Sequence, residues 1–254
     1  MADEILTEVR GKTLLICLNR PDAMNAINQD LADQLAAASD QLDNDPNLSV
    51  GVLCGIGRGF SAGMDLKAFV AEGMPEVSGR GFGGITEQGP TKPLIAAIEG
   101  FALAGGLELA MSCDILVASK GTKLGIPETG VGLFAAGGAL LRLPRALPYG
   151  LAMKMALTAK PITAEVAHQY GLVTELTENG EAVNVALELA DQISKNAPLG
   201  LQASKALLRE MQGRTEEQFW AFQKKEHMPV FDSADATEGA TAFAEKRAPN
   251  WQGK

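Results

Sequence analysis

Glu108 and Glu128 stand 20 residues apart, each beside a stretch of small residues that lets the backbone come close to a ligand. Two carboxylates facing one substrate can act as an acid and a base without a metal or redox cofactor. Their mutual repulsion raises the pKa of one, so identical side chains can take two roles at neutral pH. Glu108 lies in I-E-G-F-A-L-A-G-G-L-E-L-A-M-S-C-D, Ile98 to Asp114, which reads as strand, turn and apolar helix. Gly105 and Gly106 open that helix, where unpaired N–H groups and the positive dipole end favour a developing anion. A first-turn carboxylate suits the dipole of any helix. Around Glu108, however, Leu107, Leu109, Ala110 and Met111 imply burial, and a buried glutamate is rare without a purpose. Glu128 follows a direction-fixing proline in K-L-G-I-P-E, although Pro-Glu alone says little because Glu is common near helix starts. Beyond it, Ala135 to Gly138 provides small residues whose free N–H groups could hold a water.

A third stretch, G-R-G-F-S-A-G-M-D-L from Gly57 to Leu66, follows directly on an apolar strand. Its glycines permit the N–H of Met64 to point into a cleft, and the same pattern also suits a plain strand-to-helix connection. It contains neither G-x-G-x-x-G nor a Gly-Lys-Ser/Thr ending, which argues against a phosphate-gripping loop. Ser61 lies near these glycines, but only His168 and His227 could serve it as a base, and both sit in a later helical region. No cluster with metal-ligand spacing is present.

The elements that must position these groups alternate in type. Thr13 to Leu18 reads as a strand stopped by Asn19-Arg20-Pro21, and a helix is expected from about Asn28 to Asp45-Pro46 with Leu31, Leu35 and Leu42 at helical spacing. Val50 to Cys54, Leu94 to Ile98 and Ile115 to Ala118 are continuous apolar runs, the mark of parallel strands covered on both faces. With a short helix over Ala104 to Cys113, they predict an α/β architecture with right-handed crossovers. The glycine-rich segment Glu72 to Gly89 reads as a mobile loop or loosely held helix bordering the site. After Glu128, helices are expected over 136–143, 149–158, 164–170, 181–196, 199–212, 216–227 and 233–244, with Pro144, Pro148, Pro161, Pro198 and Pro229 near the breaks. The last helices have little sheet left to cover, which predicts packing against another subunit.

The 254 residues carry 46% hydrophobic and 21% charged side chains, a composition for a soluble globular protein with a large core. A net charge of −9 without a basic block argues against a nucleic-acid partner. Cys17, Cys54 and Cys113 lack C-x-x-C spacing and lie in apolar runs, so they read as buried thiols in a reducing cytoplasm. The opening Met-Ala-Asp-Glu has no leader pattern, and no run approaches the ~18 apolar residues of a membrane span.

Together, N-R-P at Asn19 to Pro21, M-N-A at Met24 to Ala26, F-S-A-G-M-D-L-K at Phe60 to Lys67, the Ile98 to Ala110 motif and Pro127-Glu128 resemble the crotonase, or enoyl-CoA hydratase, superfamily. So do R-L-P-R-A-L-P-Y at Arg142 to Tyr149 and L-T-A-K-P-I-T-A-E-V-A-H-Q-Y-G-L-V at Leu157 to Val173, and the likeness runs through almost the whole chain. The resemblance implies a core of repeated β-β-α turns in a spiral over residues 1–195, carrying the acyl-CoA site. It also implies a C-terminal helical segment over 196–254 that forms a homotrimer, with trimers pairing into hexamers. By the same resemblance, Met64 and Gly105 supply the N–H groups of an oxyanion hole, while Ala62, Met64, Asp65, Leu66 and Lys67 contact coenzyme A, Lys67 as a phosphate partner. Coenzyme A is then part of the substrate and no cofactor is needed. The implied reaction is syn addition of water to a 2,3-enoyl-CoA, with Glu108 activating the water and Glu128 supplying the α-proton. Where many relatives have P-G-A-G-G, this chain has Phe134-Ala135-Ala136-Gly137-Gly138, in which Ala136 offers an N–H to the water site. The alternatives are Δ3,Δ2-enoyl-CoA isomerisation by one carboxylate and acyl-CoA binding without turnover. Dehalogenase or decarboxylase relatives commonly depart from this glutamate pair.

Overall fold

The computed structural model describes residues 3–254; Met1 and Ala2, where the stretch without a leader pattern begins, lie outside the described residues. The chain opens with β1 (Ile5–Arg10) and β2 (Thr13–Leu18), antiparallel across a turn at Gly11, whose φ of +60° suits glycine. Helix α1 (Gln29–Asn44) follows, its first turn held by Asn28, whose Oδ1 accepts the Leu31 N–H at 3.0 Å. Strand β3 (Val50–Gly55) then pairs parallel to β2, completing one crossover.

From β3 onward the chain winds in repeated turns. Each turn gives one strand to a six-stranded sheet, one strand or bridge to a smaller sheet, and then a helix. The first consists of β3, a parallel bridge from Ser61 to Ala102, and α2 (Leu66–Glu72). After a short hairpin, β4 (Glu76–Val77) and β5 (Gly81–Phe82), the second turn is β6 (Leu94–Ile98), β7 (Phe101–Leu103) and α3 (Gly105–Ala110). The third is β8 (Ile115–Ser119), β9 (Lys123–Gly125) and a 3-10 turn at Pro127–Val131. Helices α4 (Ala139–Ala146) and α5 (Tyr149–Thr158), strand β10 (Ile162–Thr163), α6 (Ala164–Gln169), β11 (Glu175–Thr177) and α7 (Ala182–Ser194) close the core. The large sheet runs β1-β2-β3-β6-β8-β11 and the small one β10-β9-β7. This is the α/β architecture and β-β-α spiral expected.

The continuous apolar strands are explained by burial on two faces. Leu14, Ile16, Leu18, Leu53, Ala96 and Ile98 face α1 and the site, while Leu15, Val50, Val52, Ile95, Ala97 and Val117 face α7. Helix α7 approaches closely because Ala182, Ala186 and Ala190, one turn apart, line its buried stripe.

Three expectations need correction. The Glu72 to Gly89 segment is not a loosely held loop. Phe82 of its β4–β5 hairpin and Ile85 just beyond are buried in the main core, which a glycine-rich run without helical period does not announce. Pro144 and Pro229 lie inside helices, α4 and α9 (Glu216–Phe231), rather than at breaks. Both prolines are exposed near a helix end, so the carbonyls they leave without donors lie toward solvent. The helix predicted from Ala136 starts at Ala139, because the preceding turn is used by the site.

The C-terminal helices are α8 (Pro198–Glu210), α9 and α10 (Ala234–Glu245). Lys205 of α8 ion-pairs with Asp114 at 2.7 Å and donates to the Lys92 carbonyl, and Arg209 donates to the Ser112 carbonyl at 2.7 Å. Beyond that attachment, Trp220, Met228, Phe231 and Phe243 remain exposed, Phe243 to 88%.

Candidate active site

The loop after β3 is shaped by the chain that follows β2. Asn25, 1% exposed and at φ +53°, donates through Nδ2 to the carbonyls of Ile56 (2.9 Å) and Gly59 (3.0 Å), and its Oδ1 accepts the Arg20 N–H at 2.9 Å. Its own carbonyl accepts the Ser61 hydroxyl at 2.8 Å, and that hydroxyl oxygen accepts the Gly63 N–H at 3.1 Å. Ala62 N–H donates to the Met24 carbonyl at 3.0 Å, and Ile27 bonds to both Gly63 and Asp65. The N-R-P and M-N-A motifs therefore act as a clamp that fixes where Met64 points.

Opposite this loop, Ala104 takes φ +50° and ψ −130°, which turns the chain sharply into α3 and presents the Gly105 N–H. Gly63, at φ +100°, allows the two segments to meet: a Cβ there would lie 2.6 Å from Ala104 Cβ and 2.9 Å from Gly105 N. The space beside Gly105 is equally restricted, since an added Cβ would lie 2.4 Å from the edge of the Phe82 ring and 3.5 Å from Met64 N. The N–H groups of Met64 and Gly105 thus border one space, and neither donates to a protein acceptor among the described residues.

Glu108 is 3% exposed on α3, and its carboxylate accepts the Ala139 N–H at 3.0 Å. Burial pushes its pKa up; the N–H groups of Ala139, Gly137 and Gly138 and the charge of Arg142 oppose that rise. Arg142 shapes this cradle by donating to the Gly137 carbonyl at 3.2 Å and to the Thr86 carbonyl. Glu128 stands in the Pro127–Val131 turn, with Oε2 buried and without a hydrogen-bond partner. Burial foremost, then the charge of Glu108, pushes its pKa up to about 7. The two glutamates are electrostatically linked and differently furnished: one rests in backbone N–H groups, the other has an open oxygen.

The remaining candidate residues fall in two groups. Ala136 is exposed in the turn preceding the Glu108 cradle, and the N–H groups just after it are directed at Glu108 rather than left open for a water. Ala62 is half-buried in the clamped loop, and Leu66 and Lys67 are exposed at the start of α2. The Asp65 carboxylate is occupied, ion-pairing with Arg20 at 3.1 Å and capping α2 through the Lys67 and Ala68 N–H groups. Arg142 and Phe82 join the site without being among the residues that the sequence pattern marks. Arg142 had a signal in the R-L-P-R motif, whereas Phe82 had none. No group of three His, Cys, Asp or Glu among the described residues could hold a metal ion.

The family model described as enoyl-CoA hydratase/isomerase matches residues 8–254. Enoyl-CoA hydratase EchA19 of Mycobacterium tuberculosis is 41% identical, over 99% of this chain and 97% of its own. Carnitinyl-CoA dehydratase of Proteus mirabilis is 36% identical over the full length of both chains. The crystal structure of enoyl-CoA hydratase EchA1 from Mycobacterium marinum superposes with a TM-score of 0.96 at 49% identity, covering all of both chains. A chain matched over its whole length in sequence and fold, with these motifs at these places, belongs to the enoyl-CoA hydratase/isomerase family.

Proposed function

We propose that the protein is an enoyl-CoA hydratase, adding water across the double bond of a 2,3-enoyl-CoA thioester to give a 3-hydroxyacyl-CoA. The observation that carries this reading is the unsatisfied pair of N–H groups at Met64 and Gly105, the latter opening the helix that carries Glu108, together with two carboxylates in different environments.

The thioester carbonyl oxygen accepts from both N–H groups, which lie where negative charge grows as water adds to C3. One such donor contributes about 3 kcal/mol to the transition state. Glu108 is the base: backbone N–H groups favour its ionised form despite burial, and it takes a proton from the attacking water. Glu128, with a pKa near neutrality, is the acid that protonates C2 as the enolate collapses. One carboxylate gains the proton that the other loses, so the pair resets by proton exchange with solvent.

Coenzyme A lies along Ala62 and Met64 to Lys67, with Lys67 free to meet a phosphate; Asp65 contributes backbone here, because its carboxylate is engaged by Arg20. Ala136 borders the water site. Coenzyme A enters with the substrate, and no further cofactor takes part. Residues 1–195 form the catalytic core, and 196–254 assemble a trimer, alone or as a dimer of trimers, through the apolar side chains left exposed on α9 and α10. The compartment is the cytoplasm; no helix among the described residues is long and apolar enough to cross a membrane. Isomerisation of a 3-enoyl-CoA is the nearest alternative on this platform and needs one carboxylate only.

The test is the loss of conjugated-thioester absorbance from a series of 2-enoyl-CoAs of increasing length. Turnover of at least one of them is expected. Tight binding with no hydration and no isomerisation would identify an acyl-CoA-binding protein instead.

A further inference from the structure

The sheet face turned toward α7 holds two cysteines that the proposed hydratase chemistry does not use. Cys17 on β2 and Cys54 on β3 are direct register partners on adjacent parallel strands, and their Sγ atoms are 2.9 Å apart. Neighbouring strands bring Cα atoms to about 4.8 Å, inside the window of about 4.4–6.8 Å that a disulfide spans. Cys54 is buried among Val50, Val52 and Ile95, whereas Cys17 is half-buried near the edge formed by β1 and can be reached from solvent. Neither cysteine is signalled by C-x-x-C spacing, because the crossover through α1 separates them along the chain.

We propose that Cys17 and Cys54 form a reversible dithiol site, which a hydroperoxide converts to an intrachain disulfide. Cys17 is the attacking thiol. The thiol of Cys54 supports its thiolate, as does Arg10 on β1, while burial and Glu8, which pairs with Arg10 at 2.9 Å, oppose it. The Cys17 thiolate attacks the terminal peroxide oxygen and breaks the O–O bond, leaving a sulfenic acid and, after protonation, an alcohol or water. Cys54 sulfur then displaces the sulfenic oxygen as water and closes the S–S bond. Two thiols and one hydroperoxide become one disulfide, one water and one alcohol, the two electrons passing from sulfur to peroxide oxygen. A thiol reductant reverses the step.

Cys113 is a built-in control. It is buried behind α3, its thiol directed at the Leu109 carbonyl at 3.6 Å, and burial raises its pKa. It has no second cysteine beside it and should stay reduced.

The experiment uses the whole reduced protein exposed to hydrogen peroxide, quenched with an alkylating reagent and measured by intact mass and thiol titration. The expected result is loss of two of the three thiols and a mass lower by about 2 Da before alkylation, as disulfide formation requires. Digestion at aspartate, which separates the two cysteines, should yield one peptide pair joined through Cys17 and Cys54, released by dithiothreitol. Cys54→Ser should abolish the joined pair. Three intact thiols at a dose that oxidises a model dithiol, or oxygen added to Cys17 without a Cys17–Cys54 link, would overturn the proposal.

Discussion

Replacing Glu128 by glutamine should make the protein more stable at alkaline pH while removing its activity. The ordinary glutamate pKa of 4.5 rises to about 7 in the folded chain. Between those values the folded state binds more protons than the unfolded state, so stability falls as pH rises through the interval. The full penalty is present above about pH 7 and absent below about pH 4.5. The rise corresponds to about 3 kcal/mol at roughly 1.36 kcal/mol per pKa unit, and allowing for the partial exposure of Glu128 leaves about 2 kcal/mol. Glutamine keeps the shape without the charge. At about 2–4 °C per kcal/mol for a chain of this size, its Tm should exceed that of the unmodified protein by about 4–8 °C at pH 8. The gain should shrink toward zero near pH 4.5. Calorimetry of the two proteins at matched concentration over that range, with hydratase rates measured alongside, provides the check. An equal gain at both pH extremes, or none at pH 8, would refute the view that Glu128 carries a charge at a site poorly suited to hold one.

Further predictions concern the groups that position the site. Arg142→Gln should loosen the Gly137 turn and remove a positive charge from beside Glu108, moving the acidic limb of the kcat pH profile upward with KM little changed; an unmoved limb would leave Arg142 a purely structural residue. Asn25→Ala strips buried donors from the carbonyls of Ile56 and Gly59. At about 1–3 kcal/mol for each unsatisfied group, denaturant midpoints should register at least 2 kcal/mol of lost stability, and kcat/KM should fall as Met64 shifts. If residues 196–254 assemble the proposed trimer, Phe243→Asp should lower the mass seen by light scattering to that of a single chain, because this side chain is 88% exposed; an assembly of unchanged mass would place the interface elsewhere.

Legibility followed burial. Strand β2 is legible at its observed bounds because both faces of Thr13–Leu18 are covered, leaving an unbroken apolar run that a proline stops. Strand β1 leaves no signal because only Ile5 of it is buried, and β7, β9 and β10 leave none because two or three residues carry no period. The carboxylates were legible as a glutamate among apolar helix residues and another behind a proline. Their difference in environment was not, since it arises from the Gly137 to Ala139 N–H groups, about 30 residues from Glu108 in the chain, and from an Arg142 hydrogen bond that reaches across to Thr86. The clamp by Asn25 was visible only as part of a family motif; its mechanical role requires a φ of +53° and contacts to Ile56 and Gly59 that no local pattern encodes.

In the proposed reaction Glu108 activates water while Glu128 delivers the proton to C2. This division of labour is tested by NMR of the product formed from a 2-enoyl-CoA in deuterated water. The expected product is a 3-hydroxyacyl-CoA carrying one deuterium at C2, with Glu108→Gln and Glu128→Gln each slowed by at least about 100-fold. A 3-enoyl product, or a Glu108→Gln enzyme that still forms the hydroxy thioester at the full rate, would contradict it.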